Sequence, residues 1–574
     1  MCITVGMHIH IIPNRASSPA VLLRESYRQG TRVRKRTLAN LSSLPMDQVE
    51  AIRRILKGER LVSSDALFEV CASSHHGHVQ AVCLAMKRLG LDSLIASRPC
   101  RERDLVVAMV AARILAPHSK LATTRWWHTT TLAEDLHVAD ADEEELYKAM
   151  DWLVDRQARI EKKLAARHLD EDSIVLYDLT SSYFEGTSCP LAALGHNRDG
   201  KKGKLQVNYG VLTNSGGCPV SVSVYSGNTG DPKTVMPQIR KVKDEFGIKN
   251  LVLVGDRGMI GQKLIEHLRE HEPIDWITAL KTGQIRALMD QGAIQMSFFD
   301  ERNLVELTHE DYPGERLVVC RNPLMADRRA RTRQSLLEAT AAELQKVQGM
   351  VARGKLKGEG EIGVRVGRVV NKYKVAKLFE LQITDKSFAF QTIEENISAE
   401  AALDGLYVIR TSLPSNRQDA ADTVRTYKLL SNVERAFRCL KTIDLKVRPI
   451  HHYLEERVKA HIFLCMLAYY VEWHMLTAWR ALLFCDEDQQ AKQTRDPVAP
   501  AKRSKEALRK VHTHTLDDGT EAQSFRTLLE SLSTIVRNVC RRKEAPKDEV
   551  TFTLTTTPSE AQQRALDLIQ TIAV

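Results

Sequence analysis

The alternation of apolar and polar residues changes its period several times along the chain and divides it into segments. Residues 7–40 alternate with a period of two, which predicts a small strand-rich unit, and residues 45–60 follow it as a predicted helix. Residues 76–170 have a helical period. Helices are predicted there at 77–90, 101–116 and 142–168. The short helices of this segment fit a helix-turn-helix-like DNA reader and a plain helical bundle equally well.

The pattern changes to mixed α/β between residues 173 and 280. Strands are predicted at 173–179, 205–213, 218–226, 250–256 and 275–281. Helices are predicted at 232–246 and 260–271. This order of elements resembles the RNase H-like fold, whose first strand is central and whose fourth strand lies beside it. The resemblance implies that the first and fourth strands are neighbours.

Residues 285–401 interrupt this pattern and are interpreted as a mixed, largely β insertion with its own small sheet. Strand-like pieces lie at 303–308, 315–320, 362–370 and 378–391, around a polar helix at 326–353. After the insertion come a predicted strand at 404–412 and two predicted long helices at 419–442 and 453–484. Residues 485–504 are polar, contain two prolines and are interpreted as a linker to a C-terminal tail.

These segments predict an α/β protein whose RNase H-like core is interrupted by the insertion. The predicted domains are a small basic strand-rich unit (1–62), a helical DNA-binding domain (63–170), an RNase H-like core (171–284 and 402–484), the insertion (285–401) and the linker with its tail (485–574). A chain of 574 residues is too long for a single core, so several domains are expected.

Charge is unevenly distributed. The formal net charge is +10, and residues 1–60 alone carry 11 Lys and Arg against 4 Asp and Glu. A basic terminal arm is typical of proteins that bind a polyanion, most often nucleic acid, although a solvated basic tail has the same composition. Arg34, Lys35 and Arg36 are therefore candidate DNA contacts.

Cysteine usage and hydropathy bear on the compartment. The eleven cysteines form no CxxC pair, which argues against a zinc finger or a disulfide framework and fits a reducing cytoplasm. The N-terminus lacks the features of a signal peptide. The most apolar stretch, 461–484, contains charged residues and is interpreted as a core helix and not a membrane span. We therefore expect a cytoplasmic protein without a membrane partner.

Two predicted core strands end on carboxylates. Within residues 173–182 an apolar run precedes Asp178, and within residues 251–258 a similar apolar run precedes Asp256. A carboxylate at the end of a core strand is costly unless something neutralises it. Two such strands side by side would bring both carboxylates together, which favours a divalent cation.

A third carboxylate lies on the predicted helix 419–442. Tyr427, Leu430, Glu434, Arg438 and Lys441 are spaced to share one helical face. Taken alone, this could be an ordinary exposed face with salt bridges. Together with the two aspartates, Glu434 completes a set that can share two Mg²⁺ ions for in-line phosphoryl transfer, with Arg438 and Lys441 facing DNA phosphates.

The set Asp178, Asp256 and Glu434 resembles the DDE triad of bacterial insertion-sequence transposases. The helix is similar to the branch with the signature Tyr-x2-Arg-x3-Glu-x6-Lys: Tyr427, Glu434 and Lys441 occupy matching positions, and Leu430 stands in place of the arginine. In that branch a long, largely β insertion separates the second Asp from the Glu, and 177 residues do so here.

The resemblance implies a function and its partners. It implies binding of terminal inverted repeats on double-stranded DNA, strand cleavage by activated water, and attack of the freed 3′-hydroxyl on target DNA. The three carboxylates would be both catalytic residues and ligands for Mg²⁺, with Mn²⁺ as a substitute. Relatives act as a synaptic homodimer, and Tyr427 and Lys441 would contact DNA.

Other motifs are weaker. Gly195–Lys202 comes close to a P-loop but has Lys202 where Ser or Thr should hold Mg²⁺, so a basic DNA-gripping loop or a solvated loop is preferred. The basic side chains of that loop are Arg198, Lys201, Lys202 and Lys204. Arg257 follows the second aspartate and is a candidate contact to the phosphate at the cleaved end.

Two other functions remain open at this point. One is a metal-dependent nuclease of RNase H-like fold that only hydrolyses DNA. The other is a catalytically inactive DNA-binding protein derived from a transposase. The three intact carboxylates argue against the inactive protein, and the basic arm and long insertion favour the transposase over the nuclease.

Overall fold

The computed structural model describes residues 3–15, 17–59, 68–271, 274–295, 299, 303–485, 494–499, 503–543 and 551–573. The chain forms two compact units. The smaller one comprises Met1–Ser74 with Val536–Thr556, and the larger one comprises His75–Ile535 with Thr557–Val574. Most of the predicted linker 485–504, and the predicted boundary at residue 62, lie outside the described residues.

The strands, in chain order, are β1 (Ile3–Ile12), β2 (Ala20–Gln29), β3 (Arg32–Asn40), β4 (Phe68–His75), β5 (Ile174–Tyr183), β6 (Gln206–Asn214), β7 (Pro219–Ser226), β8 (Val252–Val254), β9 (Asp275–Ala279), β10 (Leu304–Leu307), β11 (Arg316–Arg321), β12 (Phe379–Ile383), β13 (Phe388–Thr392), β14 (Leu406–Thr411), β15 (Val536–Arg542) and β16 (Phe552–Thr555).

The α-helices, in chain order, are α1 (Met46–Leu56), α2 (Gly77–Arg88), α3 (Leu91–Ile95), α4 (Arg101–Leu115), α5 (Lys120–Trp126), α6 (Leu132–Asp135), α7 (Glu143–Val154), α8 (Gln157–His168), α9 (Pro232–Arg240), α10 (Gln262–His271), α11 (Thr282–Asp290), α12 (Pro323–Ala352), α13 (Glu359–Tyr373), α14 (Glu394–Ala401), α15 (Ala420–Lys428), α16 (Leu430–Arg438), α17 (Glu455–Ala478), α18 (Lys505–Thr513), α19 (Phe525–Ser533) and α20 (Glu560–Gln570).

The smaller unit contains two three-stranded sheets, with strand orders β1-β2-β3 and β16-β15-β4. Strands β2 and β3 form the hairpin that period-two alternation predicts, and Gly30 at its turn has a φ of 64°, a region that glycine enters without strain. The second sheet pairs β15 with β16, so part of the predicted C-terminal tail belongs to this unit.

The larger unit is built on an eight-stranded sheet with the order β10-β11-β14-β9-β8-β5-β6-β7. β5 pairs in parallel with β8 and antiparallel with β6, so the first strand of the α/β region is central and the fourth lies beside it, as the sequence predicts. β5 and β6 are buried along most of their length, which explains their continuous apolar character.

The helical segment packs against this sheet through α17. This helix contacts α4, α7 and β7, and 16 of its 24 residues are buried. Its apolar sequence therefore reflects a core position. Among the described residues no single helix is long and apolar enough to cross a membrane; α4 and Lys120–Thr129, bent by 85°, pass that test only as a pair.

The prediction of a largely β insertion is wrong. Helices α11, α12, α13 and α14 occupy most of the described part of 285–401, and β10 and β11 extend the main sheet. The predicted small sheet of the insertion is present as the antiparallel pair β12 and β13. Residues 362–370, predicted as a strand, lie in α13. There the buried residues Ile362, Val366 and Val370 recur every four positions, a helical period that the local alternation of Val and Arg masks.

Candidate active site

Asp178 lies in the interior of β5, and the strand continues past it to Tyr183. Pairing of β5 with β8 covers only Ile174 to Leu176, whereas pairing with β6 extends over the whole strand and sets Asp178 opposite Val211. The edge of β5 beside Asp178 is therefore no longer covered by β8. The prediction that the strand ends on Asp178 is therefore wrong: the strand continues to Tyr183, and its pairing with β8 already stops at Leu176.

Asp256 follows the end of β8, two residues after Val254. Its Oδ1 accepts hydrogen bonds from the backbone N–H groups of Gly258 (2.8 Å) and Met259 (2.9 Å). This tight turn fixes the carboxylate at the strand end while its residue stays exposed.

The two aspartates are in register. Leu176 and Val254 are paired across the parallel strands, and Asp178 and Asp256 each stand two residues further on. Because neighbouring parallel strands advance equally per residue, this register directs both carboxyl groups to the same place beyond the pairing. The sequence expectation that the two carboxylates meet is supported by this geometry.

The pKa values reflect that proximity. Burial raises the pKa of Asp178 to about 7, and the nearby carboxylates of Asp256 and Asp231 raise it as well. The backbone N–H of Leu179, which donates to Asp178 Oδ1 at 2.8 Å, and the guanidinium of Arg198 act in the opposite direction. Ionisation of Asp178 therefore calls for an additional positive charge.

Glu434 lies on α16, which packs against β5 and β6. Val433, Ala436 and Phe437 form the buried face of this helix, and the ring of Phe437 meets that of Tyr209 edge-on at 6.1 Å. Glu434 is exposed, at the side of this buried face. The predicted continuous helix 419–442 is instead two helices, α15 and α16, followed by a π-helical turn at Cys439–Ile443.

Tyr427, near the end of α15, links the three carboxylates electrostatically. Burial raises the pKa of Tyr427 to about 12, and Asp256, Glu434 and Asp178 each raise it further, while Arg257 lowers it. One phenol group therefore lies within the field of all three acids. Asp178, Asp256 and Glu434 consequently all lie near Tyr427.

Leu430, which stands where the predicted signature has arginine, contributes to the core. Its side chain is half-buried and packs against the main hydrophobic core. Arg435 and Arg438, on the same helix, are exposed. The cationic groups of α16 are thus at other positions than the signature implies.

Lys441 is buried, and its ammonium group lies 2.9 Å from Asp199. Asp199 also lies 2.5 Å from the guanidinium of Arg448 and accepts a hydrogen bond from the backbone N–H of Tyr183 at 3.0 Å. Sequence inspection did not single out Asp199 or Arg448. Asp199 lies in the segment 195–202 that is similar to a P-loop. The basic composition of that segment points to its Arg and Lys residues and not to Asp199.

The basic loop 198–204 is divided between paired and exposed groups. Arg198 forms an ion pair with Asp231 at 2.5 Å, and Lys204 forms an exposed one with Glu185 at 3.0 Å. Lys201 lies 5.8 Å from the centre of the Tyr183 ring. The side chain of Lys202 is exposed.

Arg257, which follows Asp256 in the chain, is exposed and lines a cavity of about 270 Å³. Tyr427, Arg329 and Lys428 also line it. With Arg257, the cavity therefore presents three cationic side chains, two arginines and one lysine. Such a lining suits a phosphate group or another anion.

Arg34, Lys35 and Arg36 lie on β3 in the smaller unit, and all three are exposed. Arg36 forms an ion pair with Glu25 at 2.6 Å. Strand β3 is an edge of its sheet, which leaves these side chains accessible to a polyanion.

The three carboxylates offer oxygen ligands, which hard divalent cations prefer. The raised pKa of Asp178 beside Asp256 is the effect that a bound dication would reverse. Among the described residues, two other side-chain groups have ligand atoms that all lie within 4.8 Å of one another, and the triad is not one of them.

Comparisons with known proteins identify the family of the chain. Residues 170–471 match the family described as Transposase DDE domain, and residues 9–66 match the IS1634 family transposase, N-terminal domain. No curated protein sequence matches the chain significantly. A chain in the cryo-EM structure of a piggyBac transposase synaptic complex with hairpin DNA is similar at a TM-score of 0.35 and 10% identity, over 77% of this chain and 85% of that one. The match to the transposase DDE domain covers more than half of this chain. The chain therefore belongs to the transposase DDE domain family and is an insertion-sequence DDE transposase.

Proposed function

We propose that this transposase binds the terminal inverted repeats of an insertion sequence and carries out DNA strand cleavage and strand transfer with Asp178, Asp256 and Glu434. The observation that carries the proposal is the field of all three carboxylates at Tyr427, together with the matched register of the two aspartates. The order of β5 to β9 in the sheet supports an RNase H-like core.

The proposed cofactor is Mg²⁺, with Mn²⁺ as a substitute. When bound, such ions lower the pKa of the attacking oxygen and stabilise the charge on the leaving oxygen. Asp178, Asp256 and Glu434 would hold the ions through their carboxylate oxygens, the ligand type that hard divalent cations prefer.

In the first step, a water oxygen attacks the phosphorus at the end of the element, and the bond to the 3′ oxygen breaks. The freed 3′-hydroxyl then attacks a phosphorus of target DNA, and the bond to the target 3′ oxygen breaks. Each step forms one phosphorus–oxygen bond and breaks another. The protein therefore supplies positioning and charge and needs no nucleophilic side chain.

DNA contacts are proposed on both sides of the carboxylates. Arg438 and Lys202 are exposed and free to meet backbone phosphates, while Arg257 reaches the adjacent cavity. Tyr427 keeps its proton at neutral pH because its pKa is raised to about 12, so its hydroxyl can donate to a phosphate oxygen. Lys201 and Lys204 extend the basic surface.

Lys441 and Arg198 take a different part in the proposal. Both are held in ion pairs, with Asp199 and Asp231 respectively. A phosphate can bind such a cation directly only after the ion pair between the cation and its acid has broken. We therefore assign them a long-range attraction for the DNA backbone and a direct contact only after that exchange.

Recognition of the element ends is assigned to the smaller unit, through Arg34, Lys35 and Arg36 on β3. The proposed active form is a homodimer that holds two ends in a synaptic complex. Its proposed location is the bacterial cytoplasm, on the nucleoid when bound to DNA.

A strand-transfer assay tests the proposal. The purified protein, Mg²⁺, a labelled linear element end and a supercoiled target plasmid should yield end-joined plasmid, whereas a nuclease that only hydrolyses would yield nicks. Asp256→Asn should abolish joined product and leave binding of the labelled end intact. Joined product that survives in this variant would contradict the assignment, and binding without cleavage by the unaltered protein would point to an inactive DNA-binding protein.

A further inference from the structure

A second cluster of ligating side chains lies away from the three carboxylates. His168 at the end of α8, Cys218 just before β7 and His474 on α17 each offer one ligand atom, and these atoms all lie within 4.8 Å of one another. Cys218 and His474 are buried, and His168 is half-buried. The three residues are distant in sequence, so the fold itself brings them together.

The spacing within this cluster is close to that of a zinc site. Cys218 Sγ lies 3.9 Å from His474 Nε2. Tetrahedral zinc with a sulfur at about 2.3 Å and a nitrogen at about 2.05 Å requires roughly 3.6 Å between those two atoms. A shift of a few tenths of an ångström in one side chain closes the gap. The pair is at the long limit for a thiol–imidazole hydrogen bond.

The ligand atoms suit a soft cation. His168 and His474 each offer an imidazole nitrogen, and Cys218 offers a sulfur. The hydroxyl of Tyr470 lies 3.1 Å from His168 Nε2, next to the cluster. Nitrogen and sulfur ligands select Zn²⁺ over the Mg²⁺ expected at a carboxylate site.

We propose that His168, Cys218 and His474 bind one structural Zn²⁺ ion, with the fourth position open to Tyr470 or water. Binding releases the thiol proton of Cys218 to solvent and forms one Zn–S and two Zn–N bonds, without any change of oxidation state. The site is distinct from the proposed Mg²⁺ site and does not depend on the catalytic assignment.

The zinc would fix the turn that supports the catalytic helix. Cys218 ends the turn between β6 and β7, and Asn214 Oδ1 accepts its backbone N–H at 3.0 Å. In the same turn, the backbone oxygen of Ser215 accepts a hydrogen bond from Asn432 at 3.0 Å. Asn432 precedes Glu434 by two residues on α16. The ion would therefore tie α8 and α17 to the turn that contacts the Glu434 helix.

Cobalt titration of the full chain tests this proposal. Chelator-treated protein in excess Mg²⁺ should take up one equivalent of Co²⁺, with the absorption of a tetrahedral cobalt–thiolate site, and Zn²⁺ should displace it. Cys218→Ser should lose the thiolate band, and His168→Gln should weaken Co²⁺ binding at least 10-fold. The control Cys189→Ser, which alters another buried cysteine, should bind Co²⁺ as the unaltered chain does.

Three results would overturn the proposal. They are the absence of a tetrahedral cobalt signal in the unaltered chain, persistence of the thiolate band in Cys218→Ser, and equal loss of that band in Cys189→Ser. His168 is half-buried, so His168→Gln remains informative if Cys218→Ser does not fold. In that case Co²⁺ affinity that is unchanged in His168→Gln would contradict the proposed ligand set.

Discussion

The ammonium group of Lys441 and the carboxylate of Asp199 lie 2.9 Å apart, with 10% and 2% of their side chains exposed. Burial lowers the pKa of Lys441, and Asp199 opposes that effect. Lys441 is therefore held next to the basic loop by an acid that no spacing rule predicts. Asp199 is a positioning residue in this account, since it acts through Lys441 and Arg448.

Asp199→Asn should destabilise the larger unit. Removing the acid leaves buried cationic groups without their partner, which typically costs about 3–5 kcal/mol. Urea unfolding of the full chain measures the loss. Glu185→Gln is the matched control, because its pair with Lys204 is 39% and 50% exposed and such pairs contribute less than about 1 kcal/mol. Equal shifts in the two variants would contradict the structural role of Asp199.

Lys441→Gln and Arg438→Gln should differ in their effect on DNA-end binding. Arg438 is exposed, so its loss should lower the slope of log affinity against log salt by about 0.9, the value for one phosphate contact. If Lys441 stays paired with Asp199 in the complex, Lys441→Gln should leave that slope unchanged and lower stability. A slope that falls by the same amount in both variants would show that Lys441 leaves Asp199 for a phosphate.

The stability of the metal-free protein should depend on pH through Asp178. Its pKa in the folded state is about 7 and its ordinary value is 3.8, so the folded state holds the proton more tightly. The contribution of Asp178 to stability is therefore greatest below pH 4, falls as the pH rises towards 7 and is constant above that. Asp178→Asn should lack this decline and be more stable at pH 8, by on the order of 2 kcal/mol.

Unfolding curves of both proteins with a chelator, between pH 4 and pH 8, provide the measurement. Added Mg²⁺ should reduce the decline in the unaltered protein and have a smaller effect on Asp178→Asn. Parallel stability profiles for the two proteins would contradict the burial of this carboxylate next to Asp256.

Replacing Arg34, Lys35 and Arg36 together with Gln should weaken binding to element ends. These residues are exposed on β3, and each phosphate contact that is lost lowers the salt slope by about 0.9. A fluorescence anisotropy titration over a range of salt concentrations measures this. The double variant of Arg53 and Arg54, exposed or half-buried on α1 and already paired with Glu50 and Glu59, is the control. Equal losses in both would indicate only general electrostatic attraction.

Much of the catalytic region could be predicted because its elements are strongly patterned. The apolar run before Asp178 and the similar run before Asp256 defined two buried strands, and the structure pairs these strands in parallel. The helix that carries Glu434 was also predicted. Local patterns could not show the break at Leu429, because both helices keep the same apolar period across it.

The remaining features depend on contacts between distant parts of the chain. Ion pairs such as Lys441 with Asp199 join residues far apart in sequence, so no local pattern contains them. The insertion was mispredicted because Ile362, Val366 and Val370 form a helical stripe within a run of alternating residues. The C-terminal tail was predicted to be separate from the core. In the structure, Trp479 Nε1, just after α17, donates a hydrogen bond to the backbone oxygen of Ala565 in α20 at 2.8 Å.

The most direct test of the central claim is the rate of DNA strand cleavage by Asp178→Asn, Asp256→Asn, Glu434→Gln and the triple variant, with Glu266→Gln as control. If the three carboxylates act as one metal-binding unit, each single variant loses about 10³-fold or more, and the triple variant is no slower than the singles. Retention of the unaltered rate by any one of the three, or losses that multiply in the triple variant, would contradict the account.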